Sequence, residues 1–150
     1  MKTLLVPLDF SDATRPLLGQ AASLAASLGA RVILLHIIEP IATAVPVGAS
    51  MDVLTATPPP ESIDPAVIEK RLEGLAQSLV PAPAAVDIRV VTGLAVDDII
   101  QTARDENADY IVLASHGHGA LYHLFSGSVV TGVLKHAPCP VVVVPIGKKD

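Results

Sequence analysis

Tyr110-Ile111-Val112-Leu113-Ala114-Ser115-His116-Gly117 is the stretch on which the fold turns. Five largely apolar residues run without alternation into a small-residue, glycine-bearing loop. Nine residues after Gly117 comes Gly127-Ser128, where a helical pattern begins. An unbroken apolar run of this length reads as a strand buried on both faces, which calls for a parallel sheet between helix layers. A strand that ends in such a loop and leads into a helix N-terminus is also an anion site. The first helical N–H groups lack internal partners, and the helix dipole favours negative charge there. Glycine lets a phosphate approach the backbone, and Ser128 adds a hydroxyl donor. The loop therefore points to a phosphate-bearing ligand, a nucleotide before any other.

Working outward, the same alternation of strand and helix fills the chain. Residues 3–8 form a short apolar strand, and Asp9-Phe10-Ser11-Asp12 a turn in which Ser11 or Asp12 is the expected N-cap. Residues 13–28 predict a helix stopped by Gly29, with Pro16 tolerated only in its first turn. Arg31 to Glu39 is a second strand. From Pro40 to Pro65 periodicity disappears among six prolines and small residues, the mark of a long excursion and not of a domain boundary. Residues 65–79 regain helical spacing, with Ile68, Leu72, Leu75 and Leu79 on one face. A strand at 87–91, a helix at 95–106 with Val96, Ile99, Ile100 and Ala103 inward, the strand at 109–114, a helix at 128–136 and a strand at 141–145 complete the chain. The expectation is one domain over 1–150: an α/β, doubly wound, open five-stranded parallel sheet with helices on both faces. Ligands of such sheets bind at the carboxyl ends of the strands, near the topological switch point. Asp9 and the 115–127 loop both lie at such ends.

Composition narrows the function classes. Of 150 residues, 51% are apolar and 17% charged, a globular balance. Two Phe and two Tyr are the only aromatic residues, too few for the stacking platforms of single-strand nucleic-acid binders. The net charge of -5 and the absence of a basic cluster argue against nucleic acid or anionic membrane as partner. Cys139, the only cysteine, rules out an internal disulfide and any cysteine-cluster metal site. The opening Met1-Lys2-Thr3-Leu4-Leu5-Val6-Pro7 is too short for a signal-peptide core, and no apolar run nears the roughly 18 residues of a membrane span. A cytoplasmic protein is expected.

These segments together resemble the universal stress protein family. The resemblance rests on Leu5-Val6-Pro7-Leu8-Asp9-Phe10-Ser11, on Leu34-Leu35-His36-Ile37-Ile38, on Ala108-Asp109-Tyr110-Ile111-Val112-Leu113, on the loop, and on Ala137-Pro138-Cys139-Pro140-Val141. The family's loop is Gly, two residues, Gly, nine residues, Gly, then Ser or Thr; Gly117, Gly127 and Ser128 match it. The resemblance implies the strand order 3-2-1-4-5 and ATP, with Mg or Mn, as ligand. Pro7, Leu8 and Asp9 would lie near the adenosine, with Ile37 and Leu113 in apolar contact. Gly117, Gly127, Ser128 and Val129 would hold the phosphates and the adjoining ligand edge, and Ala114, Ser115, His116 and His118 complete the nucleotide-binding set. It further implies a nucleotide-responsive module of the stress response that binds and does not turn over rapidly, and a homodimer formed through Val141-Val144. One position departs: the first loop glycine is Ala114. A site needing positive φ or very close ligand approach would be hindered by that methyl, whereas an ordinary strand end would not.

Each candidate also has a plainer reading. Asp9 serves equally well as a helix cap. His116, His118 and His123 are loop histidines, and with no cysteine near them they make a poor zinc set. His36 reads as a satisfied histidine of a buried strand, His136 as a cation at a helix C-terminus, and Cys139 as a packed thiol. Gly117-His118-Gly119-Ala120-Leu121-Tyr122 lacks the third glycine of a dinucleotide fingerprint, and no Walker A sequence exists. A phosphoacceptor receiver domain lacks its central acceptor Asp, since Thr92-Gly93 and Ser115-His116 stand at the comparable strand ends. An adenylating enzyme lacks a Gly- and Ser-rich loop after the first strand. The nearest rival is a member of the same family that has lost nucleotide binding and acts as a dimeric interaction protein.

Overall fold

The computed structural model describes residues 1–40, 64–117 and 129–147. The excursion over 41–63 and the loop residues His118, His123, Gly127 and Ser128 lie outside the described residues. Five strands, β1 (Thr3–Pro7), β2 (Arg31–Ile38), β3 (Ala85–Thr92), β4 (Tyr110–Gly117) and β5 (Val141–Gly147), form one parallel sheet in the order β3-β2-β1-β4-β5. The described helices are α1 (Thr14–Leu28), α2 (Pro65–Gln77), α3 (Ala95–Asp105) and α4 (Val129–His136). The expected architecture and strand order are those observed.

Two cores flank the sheet. On one face Leu4, Val6, Val32, Leu34 and Val112 pack against Leu17, Leu18, Ala21, Ala22 and Ala25 of α1 and Ile68 and Leu72 of α2. On the other, Leu5, Ile33, Leu35, Ile111 and Leu113 pack against Ile99, Ile100 and Ala103 of α3 and Val133 of α4. Successive strand residues thus enter opposite cores, which is why the strands read as unbroken apolar runs. Burial of each such Leu or Ile contributes roughly 1.5–3 kcal/mol relative to exposure.

Helix ends follow local chemistry. Gly29 takes φ 60, ψ 39, and its N–H and that of Ala30 return to the carbonyls of Ala26 and Ala25, closing α1 as expected. The α1 start differs from expectation. Ala13, not Ser11 or Asp12, holds the cap position; Ser11 instead receives the Ala13 N–H on Oγ at 3.3 Å and the Thr14 N–H on its carbonyl at 3.0 Å. Asp64 caps α2 through the Ala66 N–H at 2.9 Å.

The amino ends of the strands are tied by charge. Arg31 reaches Asp87 and Glu106, both at 3.2 Å, and donates from Nε to Thr3 Oγ1 at 3.0 Å; Arg89 adds a second contact to Glu106. Lys2 meets Asp109 at 2.9 Å, and the Thr3 N–H donates to the same carboxylate. These groups stand at the end of the sheet opposite the strand carboxyl ends.

Candidate functional site

The β1–β4 ladder stops at Leu5↔Ile111, although β1 continues to Pro7 and β4 to Gly117. β1 instead follows β2 to Pro7↔Leu35, and the Leu8 N–H donates to the Leu35 carbonyl at 2.8 Å. The sheet therefore opens between β1 and β4, where the chain's crossovers change direction. A cavity of about 610 Å³ occupies that crevice. This is the position at which doubly wound sheets bind ligands, and the volume suits a nucleotide-sized molecule.

The walls come from six elements. Pro7, Leu8 and Asp9 arrive from the end of β1; Leu35, His36, Ile37 and Glu39 from β2; Leu113, Ala114 and Ser115 from β4. Ala13, Thr14 and Leu17 of α1, Ala95 and Ile99 of α3, and Val129 and Val130 of α4 close the sides. Of the sequence-predicted site residues, Pro7, Leu8, Asp9, Ile37, Leu113, Ala114, Ser115 and Val129 meet here. His116 and Gly117 extend β4, in register with Ile146 and Gly147.

Ala114 lies within the β4 strand opposite Val144. Among the described non-glycine residues only Phe10 and Asn107 have positive φ. Ala114 is thus ordinary extended backbone, and alanine carries no conformational penalty there. β4 runs through Ser115 to Gly117, beyond the expected end at residue 114, because the ladder to β5 continues that far.

The turn carrying Asp9 is tightly tied. Asp9 is exposed at the cavity rim, and its Oδ1 accepts the Ser11 N–H at 3.0 Å. Asp9 thus lies on the cavity wall, but it does not cap the helix: its carboxylate closes the turn onto Ser11, and Ala13 takes the cap position of α1. Phe10, inside that ring, has φ 58, a left-handed conformation that costs an L-residue about 1–2 kcal/mol. His36 Nδ1 carries its hydrogen and donates it to the Leu8 carbonyl at 2.8 Å. His36 is satisfied, as expected, yet it also lines the cavity.

Charge in the cavity is one-sided. Asp9 and Glu39 are acidic, and no Lys or Arg is among the described lining residues. Glu39 Oε1 accepts the Ala95 N–H at 3.1 Å, and Asp98 accepts that of Leu94 at 2.7 Å. Both carboxylates thus occupy the amino end of α3; a Cβ at Gly93 would collide with the Asp98 carboxylate. The amino end of α4, with Val129 and Val130 on the cavity wall, has no acidic side chain in its first turn, and its helix dipole favours negative charge.

Among the wall residues that escaped the sequence reading are Glu39, Thr14 and Val130. Glu39 had a legible signal, an acid at a strand's carboxyl end. Thr14 had none, since its hydroxyl is a matter of burial: the residue is 7% exposed, and Oγ1 finds no hydrogen-bond partner among the described residues. Val130 gains its place only from the docking of α4. Away from the cavity, Cys139 is half-buried, and that burial pushes its thiol pKa up, away from the reactive thiolate.

Comparison with known proteins gives one consistent result. The sequence profile described as the Universal stress protein family matches residues 1–145. A universal stress protein of Thermus aquaticus, encoded in the QAH/OAS sulfhydrylase 3′ region, is 33% identical over 149 residues, covering 95% of this chain and 98% of that protein. Among solved structures, UspA from Lactobacillus plantarum superposes with a TM-score of 0.72 at 23% identity, covering 95% of this chain and 97% of that one. A universal stress protein in complex with cAMP gives 0.67 at 22% identity, with 95% of both chains covered. One from Archaeoglobus fulgidus in complex with dAMP gives 0.63 at 18%, with coverage of 95% and 97%. No helix among the described residues is long and apolar enough to cross a membrane. On the profile match and the near-full-length relative, the chain belongs to the universal stress protein family.

Proposed function

We propose that this chain binds an adenine nucleotide, ATP above all, in the cavity between β1 and β4, and that it acts in the cytoplasm as a nucleotide-responsive regulatory module. The carrying observation is the polarity of that cavity. It has a carboxylate turn at one side, apolar walls from Ile37 and Leu113, and the amino end of α4, with Val129 and Val130, at the other. Nucleoside and phosphate groups want these two ends respectively: a carboxylate accepts from ribose hydroxyls and repels phosphate. Solved relatives in complex with cAMP and dAMP support the reading.

Pro7, Leu8, Asp9, Ile37 and Leu113 would hold the adenosine. Ala114, Ser115 and Val129 would border the phosphates together with His116, Gly117, His118, Gly127 and Ser128. The volume suits a nucleotide such as ATP, and Mg or Mn would offset phosphate charge that no described basic side chain meets. Bound nucleotide supplies differential binding energy between two conformers, which a partner then reads. Binding, and not rapid hydrolysis, is the proposed role.

The test begins with small molecules released on denaturing freshly purified protein, identified by mass spectrometry. Calorimetry of the nucleotide-free protein with Mg-ATP follows. Co-purified adenine nucleotide, or micromolar affinity lost in Asp9→Ala and Gly127→Val, supports the reading. Absence of both at millimolar ATP overturns it.

A second reading draws on β5. Val141, Val142 and Val143 are only half-buried, and β5 lies at the sheet edge. An open apolar edge strand is a pairing template, so we propose a homodimer through Val141-Val144. With Ala114 placing a methyl on the cavity wall, a dimeric interaction protein without nucleotide is the alternative. Sedimentation of the nucleotide-free protein, together with the titration above, separates the two.

A further inference from the structure

The turn that presents Asp9 is braced by side chains from two other elements, His36 on the cavity wall and Arg71 away from it. Asp9 Oδ1 and the Ser11 N–H close a ring around Phe10, whose left-handed φ of 58 must be maintained by something. Its aromatic ring is the handle. The ring packs on His36 with centroids 4.6 Å apart and planes tilted by 41°, and the Arg71 guanidinium carbon lies 4.2 Å above its centroid. His36 is itself anchored on the Leu8 carbonyl, so its ring is a fixed surface. Arg71 belongs to α2, an exposed helix position that does not line the cavity.

We propose that Arg71 is a positioning residue. By holding the Phe10 ring against His36 it keeps the Asp9 turn in its left-handed form, and so sets how strongly the site prefers ribose over 2′-deoxyribose. This rests on the reading of Asp9 as the acceptor for ribose hydroxyls. A carboxylate that discriminates between one hydroxyl and two must be held in one orientation, because a loose side chain adjusts to either sugar. The cation over the ring supplies that hold through the ring quadrupole. Asp9 is fixed by Phe10, and Phe10 by His36 and Arg71.

The experiment compares ATP with 2′-deoxy-ATP by calorimetry on the full chain, in wild type, Arg71→Met, Arg71→Lys and Phe10→Gly. Arg71→Met keeps the stem and removes the charge. Phe10→Gly keeps the left-handed backbone accessible and removes the ring. The ribose preference is expected to fall about two- to fivefold in Arg71→Met, the span of an exposed cation–π contact. It falls also in Phe10→Gly and stays near wild type in Arg71→Lys. Without any nucleotide, the Ser11 amide exchanges its hydrogen faster in Arg71→Met, while the melting transition is little changed. A ribose preference that survives Arg71→Met and Phe10→Gly overturns this inference alone. A wild-type protein that binds no adenine nucleotide overturns the proposed function and the inference with it.

Discussion

Glu39 Oε1 accepts the backbone N–H of Ala95 at 3.1 Å, so an acid from the end of β2 sits on the amino end of α3. In Glu39→Gln the acceptor remains and the charge leaves. Stability is expected to fall by about 0.3–1 kcal/mol, the worth of a carboxylate at a helix N-terminus. Affinity for ATP is expected to rise, and that for adenosine to stay level, because a fixed negative charge has left the cavity wall. Both effects shrink with added salt. Urea denaturation and titrations at two ionic strengths measure them; equal gains for ATP and adenosine would remove the electrostatic account.

Thr14 carries a buried hydroxyl with no partner among the described residues, on the cavity wall. Thr14→Val keeps the shape and deletes the unpaired group. The nucleotide-free protein is expected to gain about 1 kcal/mol, the low end of the cost of an unsatisfied buried polar group. If bound nucleotide is the partner of that hydroxyl, the same variant loses roughly two- to tenfold in affinity, the worth of one hydrogen bond. Thermal unfolding with and without Mg-ATP reads both numbers. A destabilised nucleotide-free variant would mean that the hydroxyl is satisfied in solution.

Gly132 of α4 faces Val96 of α3 so closely that an added Cβ would lie 2.7 Å from Val96 Cγ2 and 3.0 Å from Cγ1. Gly132→Ala gains about 1 kcal/mol of helix propensity but overpacks at a cost of about 1–3 kcal/mol. Valine is stiff at χ1 and yields poorly, so the overpacking wins and the variant is expected to be less stable by up to about 2 kcal/mol. Val96→Ala added to it should recover most of that loss. A double mutant no better than Gly132→Ala, measured by denaturant melts, would show that the two helices do not meet there in solution.

Lys2 and Asp109 perturb each other at the opposite end of the sheet. The hydrogen bond from Lys2, joined by the Thr3 N–H, holds the Asp109 carboxyl below its ordinary 3.8. The same hydrogen bond from the other side raises Lys2 above its ordinary 10.5. Asp109 therefore contributes stability above the unfolded carboxyl pKa and loses it as pH falls through its lower folded value. Lys2 contributes below the unfolded ammonium pKa and loses it as pH rises through its higher folded value. Asp109→Asn should flatten the stability profile at both extremes. A profile with an unchanged acid limb would assign acid unfolding to other carboxylates.

Much of the sheet was legible because burial on both faces leaves an unbroken apolar signature in a strand, as in Ile111-Val112-Leu113 and Val32-Ile33-Leu34-Leu35. Ile68 and Leu72, and Ile99, Ile100 and Ala103, were legible as inward faces because helical spacing repeats the core contact. The Asp9 turn was legible as a turn, but not its cap: Ser11 bonds one residue early, and Ala13 takes the cap. The tie of Arg31 to Asp87 and Glu106 was not legible, because its partners lie 56 and 75 residues away. Spacing along the chain carries no trace of such a contact.

By itself, then, the sequence determined the alternation of strands and helices, the faces they bury, Gly29 as a helix stop and the acid at the end of β1. Those are consequences of local propensity and of hydrophobic period, which every short window expresses. Only the tertiary structure decided that Ala114 is plain strand backbone, that Phe10 is left-handed between Asp9 and Ser11, and that Glu39 covers the start of α3. It alone brought Asp9, Thr14, Glu39 and Val129 around one cavity. The physical reason is that a residue's burial, hydrogen-bond partners and backbone strain are set by neighbours distant in the chain, and these become neighbours only when the sheet has assembled.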